Sequence, residues 1–397
     1  MRSGRLVGFT LFAAATAVAL LLTCMLMFRR PPPPAEGPDA EEHFRAAATR
    51  AATAARAFLE WMDAATERLA PERAVDLAQE VRRLHAEPLR AARVDLDAHP
   101  APAALQPFAA TLSDGFDHVT QAFDHMAALD AGPFMRAIGD VLAAWHHAAR
   151  AQEIFYSERA QFPPFAGYWQ IAGTDMPDMP AHPAGDAQPQ TGIIHVDPSG
   201  HHGGFSVYVP ETYSADRAWP VIMALHGASG NGRDFLWMWL REAKGFGYLL
   251  VAPTSVGPTW SDIEDVGLLE ILSWLDRRYR VASRRVLLTG LSDGGTYALL
   301  YGLAHPDMYR ALAPLCGVLH PANEGLGNLR RARGVPIYMV HGARDFLFPV
   351  QSARVGRDVL LAAGAAVEYR ELPELSHTYP RSENVRILRW FAALTTP

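Results

Sequence analysis

Gly290-Leu291-Ser292-Asp293-Gly294-Gly295 follows the apolar run Val286-Leu287-Leu288-Thr289 and leads into a helix-forming stretch from Thr296 to Leu303. A serine flanked by glycines two positions before and two after, at a strand-to-helix turn, has the setting of a nucleophile elbow. The glycines suit that turn because side chains there would strike the neighbouring strand and helix. A serine hydroxyl is a weak nucleophile at neutral pH and needs a base to take its proton and an acid to orient the base. The chain order serine, acid, histidine selects Asp345, on the loop after the strand-like Ile337 to Val340, and His377, in Pro373-Glu374-Leu375-Ser376-His377. Asp262, Glu264 and Asp265 are weaker substitutes for the acid. His226 and His341 each precede a glycine at a strand end and read as fixing turn geometry; His305 and His320 precede prolines and suit helix ends or turns. The oxyanion formed on attack requires two backbone N–H donors. One belongs to Asp293, the residue after the nucleophile. The other is assigned to Ala228, in the loop His226-Gly227-Ala228-Ser229-Gly230-Asn231 that follows Val221 to Leu225. Trp237, Trp239, Trp260, Phe346, Phe348 and Tyr379 lie near these loops in sequence and read first as core, with the lining of an apolar acyl or aromatic pocket as the alternative.

These groups must be held by a scaffold, and the second half of the chain reads as one. Short apolar runs at Phe205–Val209, Val221–Leu225, Tyr248–Ala252, Val286–Thr289, Leu312–Leu315, Ile337–Val340 and Val367–Leu372 alternate with helical stretches. That pattern predicts an α/β fold, a mostly parallel sheet with helices on both faces. Asp345 and His377 fall at carboxyl ends of strands, where open sheets of this kind carry their sites.

Residues 39–162 read differently. Alanine-rich segments with apolar residues every three or four positions, such as Phe44, Ala48, Ala51, Ala55, Phe58 and Met62, predict amphipathic helices. Pro71, Pro88, Pro100, Pro102 and Gly132-Pro133 divide the region into about four of them, forming an all-α bundle. His118, His125, His146 and His147 lie there with Asp114, Asp117 and Asp124, but no Glu-x-x-His pair of the di-iron type appears, and they read as solvated or hydrogen-bonded positions, not metal ligands. Residues 163–192 lack periodicity and read as a connector to a catalytic domain over 193–397.

Residues 1–30 contain an uncharged run from Leu6 to Phe28, long enough as a helix to span roughly 30 Å of hydrocarbon, and are expected to form a transmembrane signal-anchor. Pro31 to Pro34 open a stiff linker over 31–38. Acidic residues beyond it favour a single-pass arrangement with the catalytic body on the exported side. The formal net charge of −6 offers no broad basic field and argues against a nucleic-acid partner. Two cysteines, Cys24 and Cys316, imply no disulfide framework.

With these motifs in hand, the region from Gly203 to Phe391 resembles the α/β-hydrolases, similar to the carboxylesterase and phospholipase group and to polyhydroxybutyrate-depolymerase-like esterases. The resemblance rests on the strand Phe205-Ser206-Val207-Tyr208-Val209-Pro210, the His226-Gly227 loop with Asn231, the Ser292 elbow, the Asp345 loop with Phe348-Pro349-Val350, and Ser376-His377. It implies a serine hydrolase that cleaves small-molecule or lipid-like carboxylic esters through a covalent acyl-enzyme, without metal or organic cofactor. A peptidase or amidase with the same three residues, or a non-catalytic membrane-anchored binding protein on this scaffold, are the competing expectations. The resemblance does not extend to the anchor or the bundle, and Asp293 differs from the residue common after the serine in other branches, so substrate does not follow from it.

Overall fold

The structure, a computed structural model, describes residues 38–132, 134–171, 189–198 and 203–394. The alanine-rich region folds into four long helices: α1 (Pro38–Thr66), α2 (Ala74–Ala98), α3 (Gln106–Ala127) and α4 (Phe134–Ser157). Ala47, Ala51, Ala52 and Ala55 of α1 are wholly buried, and such small side chains let helix backbones approach closely while Phe58, Phe116 and Phe155 fill the space between them. Pro88, expected as a break, lies inside α2. An internal proline costs on the order of 3 kcal/mol, which the burial of Leu77 and Val81 before it and Leu89 after it offsets.

The following strands are β1 (Gly192–Val196), β2 (Phe205–Val209), β3 (Trp219–Leu225), β4 (Leu249–Pro253), β5 (Val281–Leu291), β6 (Ala311–Leu315), β7 (Pro336–Gly342) and β8 (Ala366–Leu372). They form one eight-stranded sheet in the order β1-β2-β4-β3-β5-β6-β7-β8. β1 and β2 run antiparallel to their neighbours and the other pairs are parallel. The helices are α5 (Gly232–Phe235), α6 (Leu240–Phe246), α7 (Asp265–Arg278), α8 (Asp293–Ala304), α9 (Ala322–Gly325), α10 (Val350–Ala362) and α11 (Asn384–Ala393).

Strand side chains alternate between faces, and the core divides accordingly. Val221, Met223 and Leu225 pack with Leu268 and Ile271 of α7 and Ala298 and Leu299 of α8. Ile222 and Ala224 turn to the other face, where Leu240 of α6, Phe391 of α11 and the helical bundle share one apolar core with them. The stretch after α4, expected as an unpacked connector, is partly built into that core: Phe162, Phe165, Tyr168 and Trp169 are buried, with Phe165 stacked between Phe155 and Trp169.

The expected fold is corrected at its start. The proposed membrane span at 6–28 lies outside the described residues, and among the described residues no helix is long and apolar enough to cross a membrane. Over the described residues the fold is a helical bundle joined to an α/β sheet, and they give the expected membrane partnership no support.

Candidate active site

Ser292 sits between β5 and α8 with φ 55° and ψ −114°. A non-glycine residue at positive φ is strained, and here the strain lifts the side chain off the strand. The surrounding backbone leaves no room to relax: the Ser292 N–H donates to the Leu315 carbonyl at 2.8 Å. A Cβ on Gly290 would lie 2.4 Å from the backbone of Gly294, and one on Gly294 would lie 2.4 Å from the His226 carbonyl. The collisions anticipated for both glycines are thus with main chain, which cannot swing aside.

The structure brings Ser292, His377 and Asp345 together. His377 Nε2 is 2.7 Å from Ser292 Oγ, and His377 Nδ1 is 2.8 Å from Asp345 Oδ2. Asp345 is fully enclosed; its Oδ1 accepts the N–H groups of Leu347 at 3.0 Å and Phe348 at 2.7 Å. A buried carboxylate is tolerated only when donors satisfy it. His341 lies beside it, its Nε2 3.3 Å from Asp345 Oδ2 while hydrogen-bonded to the Phe348 carbonyl at 2.8 Å. The sequence reading gave His341 a turn role and missed this contact with the acid. Its signal was the four-residue spacing of His341 and Asp345 across the end of β7. Of the substitutes for the acid, Glu264 accepts from Val256 N–H and Asp265 from the Tyr297 hydroxyl.

At the opposite side of Ser292, Asp293 begins α8, whose first N–H groups have no partner within the helix and whose dipole favours negative charge there. Ala228 lies in the loop after β3, exposed, and its N–H makes no hydrogen bond among the described residues. The neighbouring N–H groups are taken: Ser229 donates to Pro258 at 2.7 Å and Gly230 to Gly227 at 3.0 Å. His226 braces this loop. Its Nδ1 is 2.7 Å from the Gly227 carbonyl and its Nε2 accepts the Ser255 N–H at 3.1 Å; burial pushes its imidazole down to about 4, only partly opposed by the Gly227 carbonyl. Trp260 ties the loop after β3 to the start of α8, its indole N–H donating to the His226 carbonyl and its backbone N–H to the Asp293 side chain, each at 2.8 Å. Burial raises the Asp293 carboxyl, and the Trp260 hydrogen bond works against that rise.

A cavity of about 910 Å³ opens over Ser292 and His377. Of the six aromatic residues expected near it, Trp237 and Phe346 line it. Trp239 and Tyr379 are wholly buried, Trp260 packs on His226 and Tyr297, and Phe348 stands edge-on to His377. Of the bundle histidines, His146 reaches the cavity lining, while His118 bonds His147 at 2.9 Å and His125 bonds Asp140 at 3.0 Å. Among the described residues no cluster could hold a metal ion.

Residues 260–372 match the family model Esterase, described as "Putative esterase". This segment is similar to that esterase family. It takes in Ser292 and Asp345, while Ala228 and His377 flank it in the same fold. A protein of Oryza sativa subsp. japonica named as a probable inactive carboxylesterase is 24% identical over 152 residues, a match covering 34% of this chain and 62% of the relative. The chain thus spans less than two thirds of that relative's length. Among solved structures, an S-formylglutathione hydrolase from Agrobacterium tumefaciens is 17% identical with a TM-score of 0.43, covering 55% of this chain and 99% of its own. An acetyl xylan esterase from Aspergillus awamori is 14% identical with a TM-score of 0.42, covering 50% and 98%. At such values these likenesses carry no argument. The esterase match is what supports a hydrolytic enzyme.

Proposed function

We propose that this chain is a serine hydrolase that cleaves carboxylic esters through an acyl-enzyme. The observation that carries the reading is the continuous relay from Ser292 Oγ through the two nitrogens of His377 to the enclosed Asp345. His377 takes the Ser292 proton as Oγ attacks the ester carbonyl. Asp345 holds the imidazole in the tautomer with the proton on Nδ1 and stabilises the imidazolium that forms. The N–H groups of Asp293 and Ala228 receive the oxyanion. His377 then protonates the departing alcohol, and water, deprotonated by the same imidazole, releases the acid and restores Ser292. The rice relative bears the name of an inactive protein; the intact relay supports an active one here.

The test is labelling with a fluorophosphonate, followed by hydrolysis of nitrophenyl esters beside peptide amides. Labelling of the wild type and its loss in Ser292→Ala are expected, with esters turned over faster than amides. An unlabelled wild type would overturn the enzyme reading, label surviving in Ser292→Ala would overturn the nucleophile, and faster amide turnover would make the protein a peptidase or amidase.

A further inference from the structure

The cavity over Ser292 has two walls of different origin. One is the esterase side, with Ser292, His377, Trp237, Phe346 and Leu347; the other is the helical bundle. From α4 the bundle contributes Ile138, Val141, Leu142 and Trp145, which recur every three or four residues along one stripe, and from the α1–α2 link it contributes Leu69. An amphipathic helix in a bundle normally buries such a stripe against its neighbours. Here Ile138, Val141 and Trp145 are only half-buried and Leu142 is exposed, because they face the cavity. On the opposite lip Phe346 and Leu347 are 40% and 47% exposed. Large apolar side chains facing each other across a space open to water are unfavourable unless an apolar group fills it.

Among the described residues most charged groups around the cavity are matched, Glu72 at its rim excepted. Asp63 binds Arg241 at 2.9 Å and Arg381 at 2.8 Å, and Asp234 binds His146 and Arg150, each at 2.8 Å. Asp130 pairs with Arg136. The cationic partners in these pairs are not free to recognise an anionic ligand, and the alkyl side chains Ile138, Val141 and Leu142 offer no hydrogen bonds to a polar one. The volume lies near the upper end of the ~300–1,000 Å³ range of small-molecule sites, far more than an acetyl group needs.

Resting on the reading of Ser292 as nucleophile, we propose that the helical bundle is the substrate-selecting wall of the site. The cavity between α4 and Ser292 takes a large hydrocarbon group of the ester, held by Ile138, Val141, Leu142 and Trp145 on one side and Phe346 and Leu347 on the other. The bundle, to which the family match does not extend, then sets which ester is cleaved, while the sheet supplies the chemistry.

Two substrate series test this on the full chain: nitrophenyl esters from acetyl to hexadecanoyl, and acetate esters of alcohols of rising length. In one of them kcat/KM is expected to climb about fourfold per methylene while the chain still gains apolar contact; which series climbs identifies the side of the ester that occupies the cavity. Val141→Trp should move the end of the climb to shorter chains and cut the long-to-short ratio at least tenfold. Val141→Ala, which disturbs packing less, should move the end to longer chains. Flat or falling profiles in both series, with Ser292-dependent cleavage of acetyl esters, would overturn this inference and leave the serine hydrolase reading standing. A climb that neither Val141 variant shifts would overturn the bundle as the selecting wall. No Ser292-dependent cleavage of any ester would overturn the serine esterase reading, and this inference with it.

Discussion

The Thr378 hydroxyl donates to the backbone carbonyl of Thr66 at 2.7 Å, fastening the residue after His377 to the last turn of α1, 312 positions earlier in the chain. Neighbouring contacts repeat the connection. Arg381 binds Asp63 at 2.8 Å, the Ser382 N–H donates to Glu67, and Arg73 reaches Glu374 at 3.2 Å. The loop that delivers His377 is thus held by the bundle as well as by the sheet. Thr378→Val removes the donor in a buried place, although the Thr66 carbonyl keeps a weaker bond from Leu69 N–H at 3.3 Å. The variant should lose about 1 kcal/mol of stability and label more slowly with a fluorophosphonate. Labelling at the wild-type rate would mean that His377 does not depend on this anchor.

His341 supports Asp345 from behind. Replacing it by Phe keeps a ring of similar shape in the buried space but removes the Nε2 that stands 3.3 Å from Asp345 Oδ2. The variant also loses the hydrogen bond to the Phe348 carbonyl that holds the Asp345 loop; at about 1 kcal/mol for such a bond, His341→Phe should lower kcat about fivefold while KM changes little. Equal kcat values in the two proteins would assign His341 to the turn alone.

Gly294→Ala should act through the loop carrying Ala228, the proposed oxyanion donor. The new Cβ would meet the carbonyls of His226 and Leu225 at 2.4 and 2.5 Å, so the end of β3, and with it Ala228, must shift. Displacing one oxyanion donor costs roughly a hundredfold or more in kcat. Gly325→Ala is the companion measurement, because a Cβ there meets nothing within 4 Å; it should leave kcat unchanged. Wild-type turnover by Gly294→Ala would show that the loop can yield without loss.

What was legible in the sequence followed from periodicity and fixed offsets. The apolar run from Val286 to Thr289 marked the middle of β5, which extends from Val281 through Gly290 to Leu291, and the same logic found the other parallel strands. Ser292, Asp345 and His377 were picked out by chain order at strand ends, and the structure brings them into one hydrogen-bonded line. Contacts between distant elements left no such trace. Phe162 to Trp169 is aperiodic because its rings pack around one another instead of along a helix face. Proximity to the loops offered Trp260 only as core or pocket lining, whereas its two N–H groups strap Asp293 to His226. The facing of α4 towards Ser292 could not be read either, since a half-buried stripe and a core stripe have the same spacing.

Cys316 should be chemically silent in the folded protein. It directly follows β6, fully buried, and its thiol lies 3.3 Å from the Thr378 carbonyl. Burial foremost, and then the charge of Asp345, push the thiol up to about 12. Thiolate is the reactive form, so iodoacetamide at pH 8 should leave Cys316 unmodified in the native state and modify it once the chain is unfolded. Rapid native modification mapped to Cys316 would contradict the closed packing behind the His377 loop.

Glu153 joins the bundle to the sheet and should set part of the acid stability. It projects from α4 to Arg233 at 3.0 Å and to His195 of β1 at 3.3 Å, with Arg150 at 2.7 Å. Burial alone would raise its carboxyl, but the hydrogen bonds from His195 and Arg233 and the charge of Arg150 outweigh it and bring the group from its ordinary 4.5 down to about 2. A carboxyl lowered by folding binds its proton more readily in the unfolded chain, so unfolding is favoured as acid is added. The stabilisation is therefore fully present above pH 4.5 and is lost as pH falls from there towards 2. Because Arg233 is half exposed, the contribution is discounted to about 1–2 kcal/mol. In Glu153→Gln this increment should be missing at neutral pH, and the gap from wild type should close between pH 4.5 and 2 in denaturant unfolding curves. A gap that stays constant across that interval would mean that the ion pairs do not lower Glu153.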